Sequence, residues 1–124
     1  MILGIGVDII EVSRIQHSIE NYGDKFLNKI YTQEEIDYSN SYKDKKYLHF
    51  SARFAAKEAF SKAIGTGISN GFSFKEINII NKPNGEPQII LKGNMRERFS
   101  GETFHISLSH INDVAIAYVI REQN

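Results

Sequence analysis

Cysteine is absent from the 124 residues, no long hydrophobic run occurs, and neither sign of charge prevails, since 15 Lys and Arg balance 15 Asp and Glu. Each absence excludes something. Without cysteine there is no disulfide framework, no zinc-thiolate site and no thiol nucleophile, so any metal must be held by oxygen or imidazole. This fits a reducing compartment, and a cytoplasmic location is expected. The apolar opening from Met1 to Val7 is broken by Asp8 and has no basic stretch before it, so it reads as neither signal peptide nor membrane span. Zero formal charge offers no bulk field for nucleic acid or an anionic membrane. By segment, however, the charge is −3 over residues 20–40 and +4 over residues 41–66, so neutrality is a cancellation.

What is present suits one modest core: 41% hydrophobic residues, with 8 Phe and 6 Tyr. The length predicts a single domain over residues 1–124, without repeat, linker or low-complexity segment. Residues Met1 to Ile10 alternate as a strand, with Met1, Leu3, Ile5, Val7 and Ile9 on one face and Ile2, Gly4, Gly6 and Asp8 on the other. The glycine face is expected to leave open space beside Asp8. Asp8 is then either a ligand-facing carboxylate or an edge-strand residue capping a turn.

Val12, Ile15 and Ile19 fit a short amphipathic helix capped by Ser13 and interrupted at Gly23. A further turn through Phe26, Leu27 and Ile30 follows, and Thr32 with Glu35 has the form of a capping box. Lys43 to Ile64 lacks Gly and Pro and repeats small residues at Ala52, Ala55, Ala56, Ala59 and Ala63, predicting the main helix, ended by Gly65 and Gly67. On it Phe54, Glu58 and Lys62 share one stripe; in isolation the last two would be a surface ion pair of little worth.

Phe72 to Ile80 and Gln88 to Lys92 read as strands joined through Asn84-Gly85, a hairpin signal. Gly93 to Ser100 is short and charged, with helical character. In the strand Phe104 to His110, His105, Ser107 and Ser109 share a polar face. Val114 to Ile120 is apolar almost throughout, which predicts cover on both faces, subunit contact being one source of it. Strands and a long helix without regular alternation give an α+β class, a long central helix packed on a mainly antiparallel sheet.

Several constellations are weak. Ser109, His110 and Asp113 make no triad, because neighbouring strand residues face opposite ways and no nucleophile elbow is present. Gly4-Ile5-Gly6 and Gly65-Thr66-Gly67 lack the context of dinucleotide or Walker loops. Lys43, Lys45, Lys46, His49 and Arg53, interleaved with Tyr47 and Phe50, suggest an alternative as a nucleic-acid-binding module using residues 42–54. A noncatalytic interaction subunit is a third reading. The more specific combination is Asp8 at the end of a glycine-faced strand, Glu58 beside Lys62 on a long helix, and a strand histidine. Paired carboxylates with open positions suit Mg2+, which fills its shell with water and substrate phosphates, and a neighbouring lysine would neutralise those phosphates.

Gly4-Ile5-Gly6-Val7-Asp8-Ile9, Arg14-Ile15, the run Arg53-Phe54-Ala55-Ala56-Lys57-Glu58-Ala59-Phe60-Ser61-Lys62, Gly65-Thr66-Gly67 and His105-Ile106-Ser107-Leu108-Ser109-His110 occur in that order. Together they resemble the holo-acyl carrier protein synthases, the small 4'-phosphopantetheinyl transferases of fatty-acid synthesis. The resemblance implies a homotrimer with active sites at subunit interfaces. It implies transfer from coenzyme A to a serine of apo-acyl carrier protein, with release of adenosine 3',5'-bisphosphate. By the same resemblance, Asp8 and Glu58 hold Mg2+, Lys62 steadies the phosphates, and His105 lies near the diphosphate. The general base is open between a Mg2+-ordered water, Glu58 and His105. Asn84, Gly85 and Pro87 match the adenine-side loop, while Arg53, Gly65, Ser109 and His110 are coenzyme-contact candidates. Arg14 matches a carrier-docking position, joined here by Lys25 and Lys29. The expected partners are coenzyme A, the carrier protein and further copies of this chain, with neither nucleic acid nor membrane.

Overall fold

The computed structural model describes residues 1–67 and 72–124. Strand β1 (Ile2–Glu11) runs directly into helix α1 (Val12–Tyr22), followed by α2 (Asp24–Ile30) and α3 (Gln33–Asn40). After a 3-10 turn at Lys43–Lys45 comes the 18-residue helix α4 (Lys46–Ala63). The second half holds a 3-10 turn at Phe74–Glu76, β2 (Ile77–Asn81), β3 (Pro87–Leu91), α5 (Gly93–Arg98), β4 (Glu102–His110) and β5 (Val114–Gln123). Strands β1, β5 and β4 make one antiparallel sheet in that order, and β2 with β3 makes a separate antiparallel hairpin. The α+β class holds, with the strands divided between two sheets rather than gathered in one.

Local chemistry sets several boundaries. Thr32 and Glu35 close the capping box in full, with Thr32 N donating to Glu35 Oε1 at 2.9 Å and Glu35 N to Thr32 Oγ1 at 3.2 Å. Gly65, with φ +84°, takes the left-handed conformation that ends α4. Ser13 is not a cap. The chain enters α1 from an extended Glu11 without a side-chain cap, and Val12 N is satisfied instead by the Asp113 carbonyl at 2.9 Å. The strand expected from Phe72 begins only at Ile77. Phe72 and Phe74 instead turn their rings toward Phe60 and Phe54, centroids 6.3 and 6.1 Å apart. Aromatic burial there outweighs strand pairing.

Helix α4 lies across the inner face of the three-stranded sheet. Ala55, Ala56 and Ala59 are fully buried, and Phe60 packs against Phe104 with centroids 4.5 Å apart. The space beside the β1 glycines is therefore not open. A methyl group built on Gly4 would stand 2.1 Å from the Ala63 carbonyl oxygen, so only glycine lets the helix backbone come this close. A second anchor is polar. Lys57, wholly buried, donates from Nζ to Glu35 Oε1 at 2.7 Å, the Ile30 carbonyl at 2.8 Å and the Phe74 carbonyl at 2.9 Å. Glu35 Oε2 also accepts from Ile79 N at 2.7 Å, so α3, α4 and β2 meet at one satisfied ion pair.

Among the described residues nothing covers the outer face of the sheet. Ile5, Val7 and Ile9 are 59%, 45% and 66% exposed, and Ile116 and Tyr118 of β5 lie beside them at 37% and 40%. Ala115, Ala117 and Val119 face α4 and are buried. The cover expected on both faces of β5 is thus supplied on one. So large an apolar face is unusual for a lone subunit.

Candidate active site

Strand β1 delivers Asp8 to the helix-facing side of the sheet, opposite Ala117 of β5, and the stripe on α4 brings Glu58 and Lys62 to the same place. Lys62 Nζ donates to the Val7 carbonyl at 2.9 Å and to Asp8 Oδ1 at 3.2 Å. Its ion-pair partner is therefore Asp8 across the strand-helix contact, rather than Glu58 one turn earlier. Lys62 keeps 52% of its side chain in water, whereas Asp8 keeps 18%. Glu58 is half-buried; desolvation and then the charge of Asp8 push its carboxyl above the ordinary carboxylate range, partly offset by Lys62. Two carboxylates in mutual electrostatic contact with one half-exposed ammonium make a place for a cation and for phosphate oxygens.

A magnesium ion fits this donor set. Asp8 and Glu58 offer only hard oxygen, and among the described residues no group of three His, Cys, Asp or Glu side chains stands ready to enclose a metal. Two carboxylates leave most of an octahedral shell to water and substrate phosphates, as Mg2+ prefers, whereas a softer metal would want imidazole or thiolate.

His105 is not part of this cluster within one chain. The register pairs Asp8 with Ala117 and Ala117 with Leu108, while His105 pairs with Ile120, which faces the other way. His105 sits on the outer, apolar face, where its Nε2 meets Glu122 Oε1 at 2.8 Å. The imidazole depresses the Glu122 carboxyl below its usual range. Ser109 shares that outer face. His110 faces inward at the sheet's end, its ring 6.0 Å from His49. His49 stacks on Tyr42 at 3.7 Å, and burial, then Arg53, then His110 lower its pKa to about 4. These rings line a cleft of about 630 Å³ with Gln16, Lys45 and Ile111; it lies apart from Asp8, Glu58 and Lys62.

Arg53 is 2% exposed, its guanidinium 4.0 Å above the Tyr38 ring and hydrogen-bonded to Asn81 Oδ1. Its burial also removes it from the basic face expected over residues 42–54. Asn84 and Gly85 are exposed in the β2–β3 turn, which Pro87 closes by opening β3, and Gly65 is exposed just past the end of α4. Arg14 on α1 and Lys25 and Lys29 on α2 are exposed. The sequence reading did not reach three contributors: the Val7 carbonyl that anchors Lys62, Glu122 beside His105, and Asn81 beneath the turn. A main-chain oxygen carries no sequence signal, Glu122 gains its partner only through strand register, and Asn81 gains Arg53 only through the packing of α4 against the hairpin.

The family model for the 4'-phosphopantetheinyl transferase superfamily matches residues 4–119. A curated holo-[acyl-carrier-protein] synthase of Koribacter versatilis is 44% identical over 125 residues, covering 98% of this chain and 99% of its own. Among solved structures, a holo-(acyl-carrier-protein) synthase from Bacillus anthracis in complex with CoA (3',5'-ADP) superposes with TM-score 0.85 at 38% identity, covering 100% of this chain and 99% of that one. The Helicobacter pylori holo-[acyl-carrier-protein] synthase in complex with coenzyme A gives 0.83 at 32% identity, covering 95% and 99%. With near-complete coverage in both directions and the carboxylate-lysine cluster in place, this chain belongs to the holo-[acyl-carrier-protein] synthase family of 4'-phosphopantetheinyl transferases.

Proposed function

We propose that the chain transfers 4'-phosphopantetheine from coenzyme A to a serine of apo-acyl carrier protein, forming holo-acyl carrier protein and adenosine 3',5'-bisphosphate. One observation carries this reading: Asp8, Glu58 and Lys62 converge, in a chain of this family, where β1 meets α4. Asp8 and Glu58 would hold Mg2+, which when bound offsets the charge of the pyrophosphate. Lys62 exchanges its contacts with Asp8 and the Val7 carbonyl for phosphate oxygens, where its charge is worth most as the leaving group departs. The serine oxygen bonds to the β-phosphorus, the bridging bond to the α-phosphate breaks with its electron pair on the leaving adenosine bisphosphate, and the serine proton passes to a base. Of the chain's own groups, Glu58 and His105 are the candidates to accept it.

The chain works as a homotrimer with interfacial sites. The open apolar face around Ile5, Val7 and Ile9 supports assembly, and His105 and Ser109 on that face reach a coenzyme held by Asp8 and Glu58 of a neighbouring copy. Asn84, Gly85 and Pro87 serve the adenosine end, with Gly65 and His110 as further contacts and Arg53 supporting the turn from beneath. Arg14, Lys25 and Lys29 form the docking face for an acidic carrier. The setting is cytoplasmic fatty-acid synthesis by one domain over residues 1–124; among the described residues no helix is long and apolar enough to cross a membrane.

The test is intact-mass analysis of apo-acyl carrier protein incubated with the purified chain, coenzyme A and Mg2+. The carrier should gain one phosphopantetheinyl group. An unchanged mass, under conditions where an authentic enzyme of the family succeeds, overturns the reading.

A further inference from the structure

The β2–β3 turn is exposed from Lys82 to Glu86, yet it is tied from below by one side chain. Asn81 Nδ2 donates to the Gly85 carbonyl at 2.8 Å, and Asn81 Oδ1 accepts from Nη2 of the buried Arg53. Both roles are forced, because a guanidinium only donates and a carbonyl only accepts. The remaining ties among the described residues are local to the turn: Lys82 N to the Glu86 carbonyl and Gly85 N to the Lys82 carbonyl, each at 2.8 Å, Glu86 N to Asn84 Oδ1 at 3.0 Å, and Lys82 Nζ to Glu86 Oε2 at 3.5 Å. None of these connects the turn to the body of the protein. Gly85, at φ +90°, is conformationally permissive, and without Asn81 its carbonyl has no other partner among the described residues.

Arg53 cannot itself drift. Its side chain is buried, it stacks on Tyr38, and Asn81 extends this rigid point of α4 into the turn. Given the transfer reaction proposed above, we infer that Asn81 is a positioning residue for coenzyme A, fixing the Gly85 peptide so that Asn84 and Gly85 receive the adenosine end pre-formed. The benefit is ordering entropy spent at folding instead of at binding, which lowers KM for the coenzyme without entering the chemical step.

Two substitutions separate this role from a structural one. Asn81→Ala removes both bonds, whereas Asn81→Asp keeps the acceptor for Arg53 and sets a carboxylate oxygen against the Gly85 carbonyl. Both variants should raise KM for coenzyme A about tenfold and weaken calorimetric binding of adenosine 3',5'-bisphosphate by the same factor. Both should leave kcat within about twofold, and Asn81→Asp should keep the wild-type thermal midpoint. The inference fails if wild type transfers the group but both variants keep its KM, or if Asn81→Asp restores the KM that Asn81→Ala loses. It fails equally if kcat, KM and thermal midpoint decline together. If the wild-type chain transfers nothing, the transfer reading falls first and the role of Asn81 with it.

Discussion

Gly6 of β1 and Ala59 of α4 approach so closely that a methyl group added to Gly6 would stand 1.9 Å from the Ala59 carbonyl oxygen. One turn further along the helix, Gly4 meets Ala63 in the same way. This contact presses α4 onto the sheet and brings Glu58 and Lys62 within reach of Asp8. The convergence of Asp8, Glu58 and Lys62 is thus a by-product of backbone packing.

Gly6→Ala should therefore cost at least about 3 kcal/mol, because a helix carbonyl cannot rotate aside as a side chain can. Denaturant unfolding measures the loss. Any folded fraction should have α4 displaced and should lose the Lys62 to Asp8 contact. A Gly6→Ala protein of wild-type stability and activity would mean that α4 is not seated as described.

Glu58→Gln should abolish carrier modification while leaving stability equal or improved in metal-free buffer. The Glu58 carboxyl is raised above its unfolded value, so the folded chain disfavours the ionised form. The associated stability is present below the unfolded pKa and lost as pH rises through the folded one. The gain from Glu58→Gln should thus be seen at neutral pH and fade in acid. Thermal midpoints of both proteins with chelator, at neutral pH and near pH 4, decide this. A variant less stable than wild type at neutral pH contradicts it.

Lys57→Met should destabilise by about 3–5 kcal/mol, since it strands the Glu35 carboxylate, 1% exposed, without its cation. Adding Glu35→Gln should return part of the loss by removing the stranded charge, although its single amide oxygen can accept from only one of Thr32 N and Ile79 N, which donate to different carboxylate oxygens. Equilibrium unfolding of the single and double variants gives the comparison. A double variant no better than the single one would show that backbone contacts, not charge, hold this junction.

His49 should make the fold acid-sensitive. Unfolded, it binds a proton near 6.5; folded, it resists until about 4, because of burial and the neighbouring Arg53 and His110. Between those values the unfolded chain holds more protons, so stability falls as pH drops through the window. His49→Phe, which preserves stacking on Tyr42, should flatten that part of the profile. Thermal midpoints between pH 7 and pH 4 should converge or cross for the two proteins, and parallel profiles would remove His49 as the cause.

Much of this was legible in the residues. Asp8 after the glycine strand, the stripe of Glu58 and Lys62, the capping box at Thr32 and the turn at Asn84-Gly85 are local patterns, and each stands where its spacing places it. What was not legible depends on partners distant in sequence. The glycine face looked like room for a ligand, although the backbone at Ala59 and Ala63 fills it. Arg53 reads as part of a basic face over residues 42–54, but Tyr38 and Asn81 draw it inside. His105 alternates correctly within β4, yet only the register through β5 reveals that it faces away from Asp8. Phe72 and Phe74 have strand character, but the ring cluster around Phe60 holds them.

The separation of His105 from Asp8 makes the two-copy site the most exposed claim of this account. The direct measurement is complementation between Glu58→Gln and His105→Ala, each expected to lose activity alone, co-refolded in equal amounts and assayed by carrier modification. Recovery to about a quarter of the wild-type rate is expected, the share of interfaces that random mixing builds from two intact halves. A mixture no more active than its two components would contradict it.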